Sequence, residues 1–240
     1  MKQGLILAAG RGKRLNGSNS DSAKCLVRVG NRTLIEYQLE MLKRIGIDRV
    51  AVVVGHCSHR VREVLGDRVE YIYNPVYAST NSLYSLWLGR DWVEGELYLV
   101  NGDLLAHPEI FTRLARSTGT ALTFDSSSGE DPEHMKVRTS GCCLKSMSKK
   151  LPLETTCGEN VGLLRFSAAD ARRLFQEADR LVAQGQSNSW APAAVAELAR
   201  CIAIQCIDIA GADWVEIDFP EDLRQAQDEV WPEVMKALHR

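Results

Sequence analysis

The segment Gly4-Leu5-Ile6-Leu7-Ala8-Ala9-Gly10-Arg11-Gly12-Lys13-Arg14-Leu15 constrains this chain more than any other. Its short continuous apolar run reads as a strand buried on both faces, the kind found in parallel sheets covered by helices. The two glycines directly after it let backbone N–H groups approach an anion closely, and three basic side chains add charge. The pattern is not the dinucleotide fingerprint GxGxxG, because Leu15 stands where the third glycine belongs. It is not a Walker A loop, since no GK[ST] ending follows. A plain strand-to-helix turn would use the same glycines. The polar stretch that runs on to Lys24 favours a phosphate site, in which backbone donors surround the phosphates and one movable point charge meets the reacting phosphorus. That stretch, with LNGSNSDS at its centre, cannot pack, and the expectation is a loop that is mobile or ordered by a ligand.

Strand and helix signals alternate through the first half. Residues 49–54, 69–73 and 96–100 read as further strands, the second and third interleaved with helices at 58–65 and from about 80 to 88. Thr33 and Glu36 form a capping box that opens a helix, and Gly46 closes it. After residue 118 the pattern loosens. Short strands are expected at 120–125, 134–138, 142–147 and 160–166, with a surface loop at 126–133. Helices follow at SAADARRLFQEADRLVAQG and APAAVAELA, then strands in IAIQCIDI and DWVEID. The last segment is helical with a kink expected at Pro232. The expected class is α/β: one domain with a mixed, mostly parallel central sheet and a smaller, less regular lobe. Residues 1–118 would form a nucleotide-binding half and residues 119–240 an acceptor-binding half.

The formal net charge of −2 over 240 residues excludes a protein that wraps nucleic acid by charge alone, but leaves room for a local cluster that binds one small anion. No apolar run reaches the length of a membrane span, and the opening run is too short for a signal peptide. Seven cysteines without a CxxC argue against a disulfide framework or a structural zinc site, and point to a reducing, cytoplasmic setting. Cys142 and Cys143, if in a strand, would face opposite sides. Cys25 beside Lys24 is either a reactive thiol or a small space-filler.

Two carboxylate positions complete the chemistry. Asp103, in Val100-Asn101-Gly102-Asp103, follows a buried strand, and the crevice beyond the carboxyl ends of parallel strands is where open α/β sheets bind ligands. In Glu216-Ile217-Asp218 strand alternation puts both carboxylates on one face. Asp103 with Asp218 would suit Mg²⁺, which takes one or two carboxylates plus phosphate oxygens, with Glu216 as a weaker candidate. Helix capping is the competing use of both aspartates.

Together LAAGRGKRL, Lys24, NGD and EIDFPEDL resemble the nucleotidyltransferases of the nucleotide-diphospho-sugar transferase superfamily. The segment from Asn74 to Leu86 and Gly158-Glu159-Asn160-Val161-Gly162 resemble the phosphocholine and 2-aminoethylphosphonate cytidylyltransferase branch. Ala23 departs from the proline usual before the lysine, and the stretch around Trp190 lacks the acidic residues expected near a choline-like head group. The resemblance implies a Rossmann-like domain that takes CTP, Mg²⁺ and a small phosphonate or phosphate acceptor. It involves no nucleic acid or membrane partner, and leaves a homodimer open. Ala8, Ala9 and Gly10 would line base and ribose, with Asn81 and Ser82 facing them or capping a helix. Gly12 and Arg14 would hold the triphosphate and Lys24 would stabilise charge on the α-phosphate. Lys149, Glu159 and Trp190 would meet the acceptor, or else be a solvated surface lysine, a surface ion pair and a core ring, while His56 and His59 would be peripheral. A sugar- or inositol-phosphate nucleotidyltransferase and a nucleotide-binding module without turnover are the competing readings, with a dinucleotide-dependent dehydrogenase behind them.

Overall fold

The computed structural model describes residues 1–16 and 22–239. The expectation for the centre of the polar loop, residues 17–21, lies outside the described residues. The elements run β1 (Lys2–Ala8), α1 (Lys13–Asn16), β2 (Arg28–Val29), β3 (Arg32–Thr33), α2 (Leu34–Arg44), β4 (Arg49–Val54), α3 (Ser58–Leu65), β5 (Glu70–Tyr73), α4 (Ser82–Leu88), β6 (Glu96–Asn101), β7 (Leu104–Ala106), α5 (Pro108–Arg116) and β8 (Ala121–Asp125). They continue with β9 (Lys136–Ser140), β10 (Cys143–Ser148), β11 (Gly158–Phe166), α6 (Ala168–Ala183), α7 (Pro192–Leu198), β12 (Gln205–Asp208), β13 (Trp214–Glu216), α8 (Pro220–Gln225) and α9 (Trp231–Leu238).

Nine strands form one mixed sheet in the order β5-β4-β1-β6-β11-β8-β12-β10-β9. The first four are parallel, as their buried apolar runs require. Side chains alternate between two cores. Ile6, Val52 and Val100 join the core under α2 and α5, whereas Leu5, Val53 and Leu99 join the one under α4, α6 and α7. The cap of α2 forms as expected, with Thr33 N–H donating to Glu36 Oε2 at 3.0 Å and Gly46 in a left-handed conformation past the helix end.

The other half of the sheet is mostly antiparallel. Strand β11 runs against β6, β8 and β9, and β8 with β12 is the parallel pair there. Because β9 bonds both β10 and β11, the strands β11, β8, β12, β10 and β9 close into a ring. The pivot is an irregularity in β11 between Asn160 and Leu164. Gly162 sits there at φ +83°, and a Cβ at this position would lie 2.6 Å from Asn101 Nδ2. Residues 163–166 therefore extend the central sheet, while Gly158 and Glu159 pair with β9.

One expectation changes, and the structure adds a detail to another. Cys142 lies in the turn before β10 rather than in the strand, so its Sγ comes within 4.0 Å of that of Cys143 instead of facing away. The last segment widens to a π-helical turn at Ala226–Val230, directly before Trp231 and Pro232. A proline has no N–H to give, and the wider turn spans the region whose ladder it would interrupt. Among the described residues no helix is long and apolar enough to cross a membrane.

Candidate active site

A cavity of about 510 Å³ opens at the carboxyl ends of β1 and β6. Its floor is the glycine turn. Ala8, Ala9, Gly10, Gly12 and Arg14 line it, and a Cβ on Gly10 would meet nothing within 4 Å. Packing inside the protein therefore does not demand glycine at this position; a ligand at close range would. Gly12 is left-handed at φ +58° and turns the chain into the single helical turn α1, whose Leu15 N–H bonds back to Gly12 O at 3.2 Å.

Lys24 is at the centre of the wall. Its Nζ lies 2.6 Å from Asp103 Oδ2 and also bonds Asp218 Oδ1, with only 12% of the side chain exposed. The antiparallel pair of β7 and β13 joins these distant segments, and Ile217 N–H donates to Asp103 O at 3.0 Å. Arg14 reaches the other oxygen of Asp218 at 2.8 Å, with its guanidinium 4.7 Å over the ring of Phe219. Burial is the largest influence on Lys24 and acts to lower its pKa, but the two carboxylates together outweigh it and hold the group protonated. Burial likewise acts to raise Asp103, and Lys24 overcomes it and leaves Asp103 ionised. Glu216 behaves differently. Burial, reinforced by the charge of Asp103, pushes it well above the carboxylate range, and Asn101 Nδ2 donates to it at 3.1 Å.

The expected carboxylate set is thus only partly assembled. Among the described residues no three His, Cys, Asp or Glu side chains are grouped to hold a metal ion. Asp103 and Asp218 share the ammonium of Lys24, and burial beside Asp103 disfavours the charged form of Glu216. The pair nevertheless fits Mg²⁺, because Asp103 and Asp218 already converge on one cation, the Lys24 ammonium. Two carboxylates facing one cation suit an ion that brings phosphate oxygens of its own.

Asn81 and Ser82 line the cavity and also cap α4, where Asn81 Oδ1 accepts from Ser82 N–H at 2.8 Å. Ser82 Oγ in turn accepts from Ala191 N–H at 2.8 Å, and Leu83 N–H donates to Ser189 O, so the 187–191 segment docks onto the start of α4. That docking brings Trp190, 46% exposed, to the rim. Lys149 follows β10 and places Nζ 5.0 Å over the Trp190 ring. Glu159 differs from expectation. It is buried away from the cavity, accepts from the Ser128 hydroxyl, and is pushed by burial to about 7. Strand alternation turns its neighbour Asn160 to the cavity instead, with Oδ1 buried and without a partner. Asn160, Glu133, Asn74 and Asn101 are lining residues that motif spacing does not reveal, although Asn160 stands directly beside Glu159 in the Gly158–Gly162 segment. Cys25 is 2% exposed, and burial pushes its thiol up to about 12, which is the space-filler rather than the reactive group. Among the described residues His56 and His59 are not in the cavity wall.

Residues 4–150 match the MobA-like NTP transferase domain. The chain is 28% identical, over 98% of its length, to the CMP-5'-(3-aminopropyl)phosphonate synthase of Streptomyces rubellomurinus, and spans 40% of that protein. It is 36% identical to the choline-phosphate cytidylyltransferase of Streptococcus pneumoniae over 48% of its own length and 50% of the relative's. It is 25% identical to the CTP:phosphoglutamine cytidylyltransferase of Campylobacter jejuni, covering 91% of this chain and 96% of that one. The first two relatives are thus matched over half their length or less. The fold superposes on that of the Streptococcus pneumoniae CTP:phosphocholine cytidylyltransferase with a TM-score of 0.79, at 22% identity over 95% of this chain and 98% of that one. For the inositol-1-phosphate CTP transferase of T. maritima the TM-score is 0.82, at 20% identity over 98% and 97%. A glycine turn below a lysine held by two aspartates fits this grouping, and the chain belongs to the MobA-like NTP transferase family.

Proposed function

We propose that this chain transfers CMP from CTP to a small phosphonate or phosphate monoester and releases pyrophosphate. The observation that carries the reading is the buried Lys24 ammonium held by Asp103 and Asp218 at the end of the glycine turn. The names of the three relatives support the choice of substrates: all involve a cytidine nucleotide, and their acceptors are a phosphonate, choline phosphate and phosphoglutamine.

In this reading residues 1–118 bind the nucleotide and residues 119–240 supply most of the acceptor end. Ala8, Ala9 and Gly10 with Asn81 and Ser82 surround the nucleoside, and the Gly12 backbone and Arg14 hold the phosphates. A divalent ion on Asp103 and Asp218, Mg²⁺ by its preference for carboxylate and phosphate oxygens, would neutralise charge on the reacting phosphates. Lys149 and Trp190 meet the acceptor, joined by Asn160 rather than Glu159. The acceptor oxygen is already anionic, so no general base is required. It attacks the α-phosphorus in line, the new P–O bond forms, and the bond to pyrophosphate breaks with its electron pair leaving on oxygen. Lys24 turns its charge from the carboxylates to the α-phosphate as charge grows there.

The test is pyrophosphate release from CTP, UTP, GTP and ATP against phosphocholine, 2-aminoethylphosphonate, 2-hydroxyethylphosphonate, glucose-1-phosphate and inositol-1-phosphate. Turnover should require CTP and one of the first three acceptors. Turnover with only the last two would move the chain to sugar- or inositol-phosphate chemistry. Silence throughout would leave a nucleotide-binding module.

A further inference from the structure

The loop between β8 and β9 carries a carboxylate to the cavity. Glu133 Oε2 lies 3.2 Å from Lys149 Nζ and 3.4 Å from Arg14 Nη1. Arg14 stands on α1 beyond the glycine turn, and Lys149 follows β10, so one oxygen bridges cations from the two halves of the sheet. All three side chains line the cavity.

The loop presents Glu133 in a fixed way. Asp131 Oδ1 accepts from Glu133 N–H at 2.7 Å, and Asp131 O accepts from His134 N–H at 3.1 Å. His134 Nδ1 accepts from Gly129 N–H at 3.2 Å, which requires the neutral ring, in keeping with a pKa that burial lowers. The Ser128 hydroxyl donates to Glu159. The Ser128, His134 and Glu159 group thus anchors the base of the loop.

Glu133 itself is 63% exposed, and its two pairs are at the long end of ion-pair distances. Exposed pairs of this kind are weak. A tetrahedral phosphorus oxyanion offers more oxygens and a second negative charge to the same cations, and charge-assisted bonds to such a group are stronger. We propose that Glu133 is an internal anion seated where a phosphorus oxyanion binds between Arg14 and Lys149, and that this ligand binds by displacing it. The proposal rests on the functional reading above for its ligand class. The oxyanion is either the acceptor's phosphonate or the outer phosphates of the nucleotide.

The experiment is calorimetric titration of the whole chain with methylphosphonate, pyrophosphate and CTP, using the wild type, Glu133→Gln and Glu130→Gln. Glu130 lies in the same loop, so its variant measures the effect of removing a nearby charge. Glu133→Gln should tighten at least one ligand by about fivefold, the size two weak exposed pairs allow. Glu130→Gln should change that ligand by less than about twofold, and the gain should vanish in a Lys149→Gln background, as coupling between contacting residues requires. Tightening of methylphosphonate assigns the place to the acceptor; tightening of pyrophosphate or CTP assigns it to the nucleotide. Unchanged affinity for all three ligands, no binding by either protein, or equal gains in the two single variants would overturn the proposal. The turnover screen is independent. If no acceptor reacts while Glu133→Gln tightens methylphosphonate, the functional reading fails and the displacement stands. If an acceptor reacts and Glu133→Gln binds every ligand as the wild type does, the functional reading stands and the displacement fails.

Discussion

The two halves of the central sheet build their share of the cavity differently. In the parallel half, residues reach the site directly from strand ends: β1 runs into the glycine turn, and Asp103 follows β6 by two residues. Position there is a property of the backbone. In the ringed half the lining groups are Lys149 past the end of β10, Glu133 on a loop, Trp190 on a segment docked against α4, and Asn160 beside the irregularity in β11. Position there depends on side chains and on loops pinned by polar contacts. A wall built on strand ends is fixed by the backbone, whereas a wall built on loops and side chains changes with a few substitutions on the same frame.

Substitutions at the junction of the halves should have the largest effect. Asp103→Ala and Asp218→Ala should abolish metal-dependent turnover with the fold retained by circular dichroism, and Lys24→Ala should lower kcat by about 10²-fold or more. Near-native turnover in these variants would break the assignment of chemistry to the strand ends. Next comes the hinge between the halves. Gly162→Ala would place a Cβ against Asn101 at a left-handed position. It should cost about 2–3 kcal/mol, seen as a fall in Tm of roughly 5–10 °C. An unchanged Tm would mean that the ring adjusts independently of the parallel half.

The loop anchor offers a smaller, pH-resolved effect. Burial raises Glu159 to about 7, with Asp125 and Asp131 also raising it and Ser128 and Lys136 acting in the opposite sense. The folded protein then keeps a proton that the unfolded chain releases near its ordinary glutamate value of about 4.3. Stability from this group is complete below about pH 4, falls as pH rises to about 7, and is level above that. The loss is about 2 kcal/mol once relaxation of a partly wetted site is discounted from the full linkage value. Glu159→Gln should flatten this part of the denaturation profile and be the more stable protein at pH 8; a parallel profile would remove Glu159 from the anchor. Smallest of all, Trp190→Ala should raise the acceptor KM by about threefold to tenfold through loss of the ring beneath Lys149, leaving the KM for CTP near its starting value. Equal changes in both constants would erase the distinction between the halves.

The same contrast explains what could be read without coordinates. The parallel strands, the capping box of α2 and the site residues of the glycine turn follow from local rules: buried apolar runs, Thr33 with Glu36, and glycines after a strand. The pairing of β7 with β13 is invisible to such rules, because three residues carry no period of their own. Yet that pairing is what brings Asp218 to Asp103. The connection comes from carboxylate chemistry, two aspartates suited to one Mg²⁺, and the family resemblance implies the same pair, whereas periodicity gives neither. The ring was legible only as short strands without assigned partners. Glu159 illustrates the cost: alternation puts Glu159 and Asn160 on opposite faces, but only the fold shows which face meets the cavity. Glu133 was hidden for a different reason. It lies in a loop whose composition reads as solvent-exposed surface, and only the fold shows that this surface borders the cavity.

The closure of β9 onto β11 also has a consequence for encounters with other chains. An open sheet has two edges, each a row of unpaired amide and carbonyl groups that can template a foreign strand. Here the edge at the β9 end is partly consumed where Lys136 and Val137 bond β11. At the other end of the sheet, among the described residues, β5 is four residues long and lies next to Arg49 bound to Glu70. Short length and charge are the usual defences of such an edge. Ringed at one end and blunted at the other, the nine-stranded sheet offers, among the described residues, a shortened edge for strand-by-strand growth of aggregates.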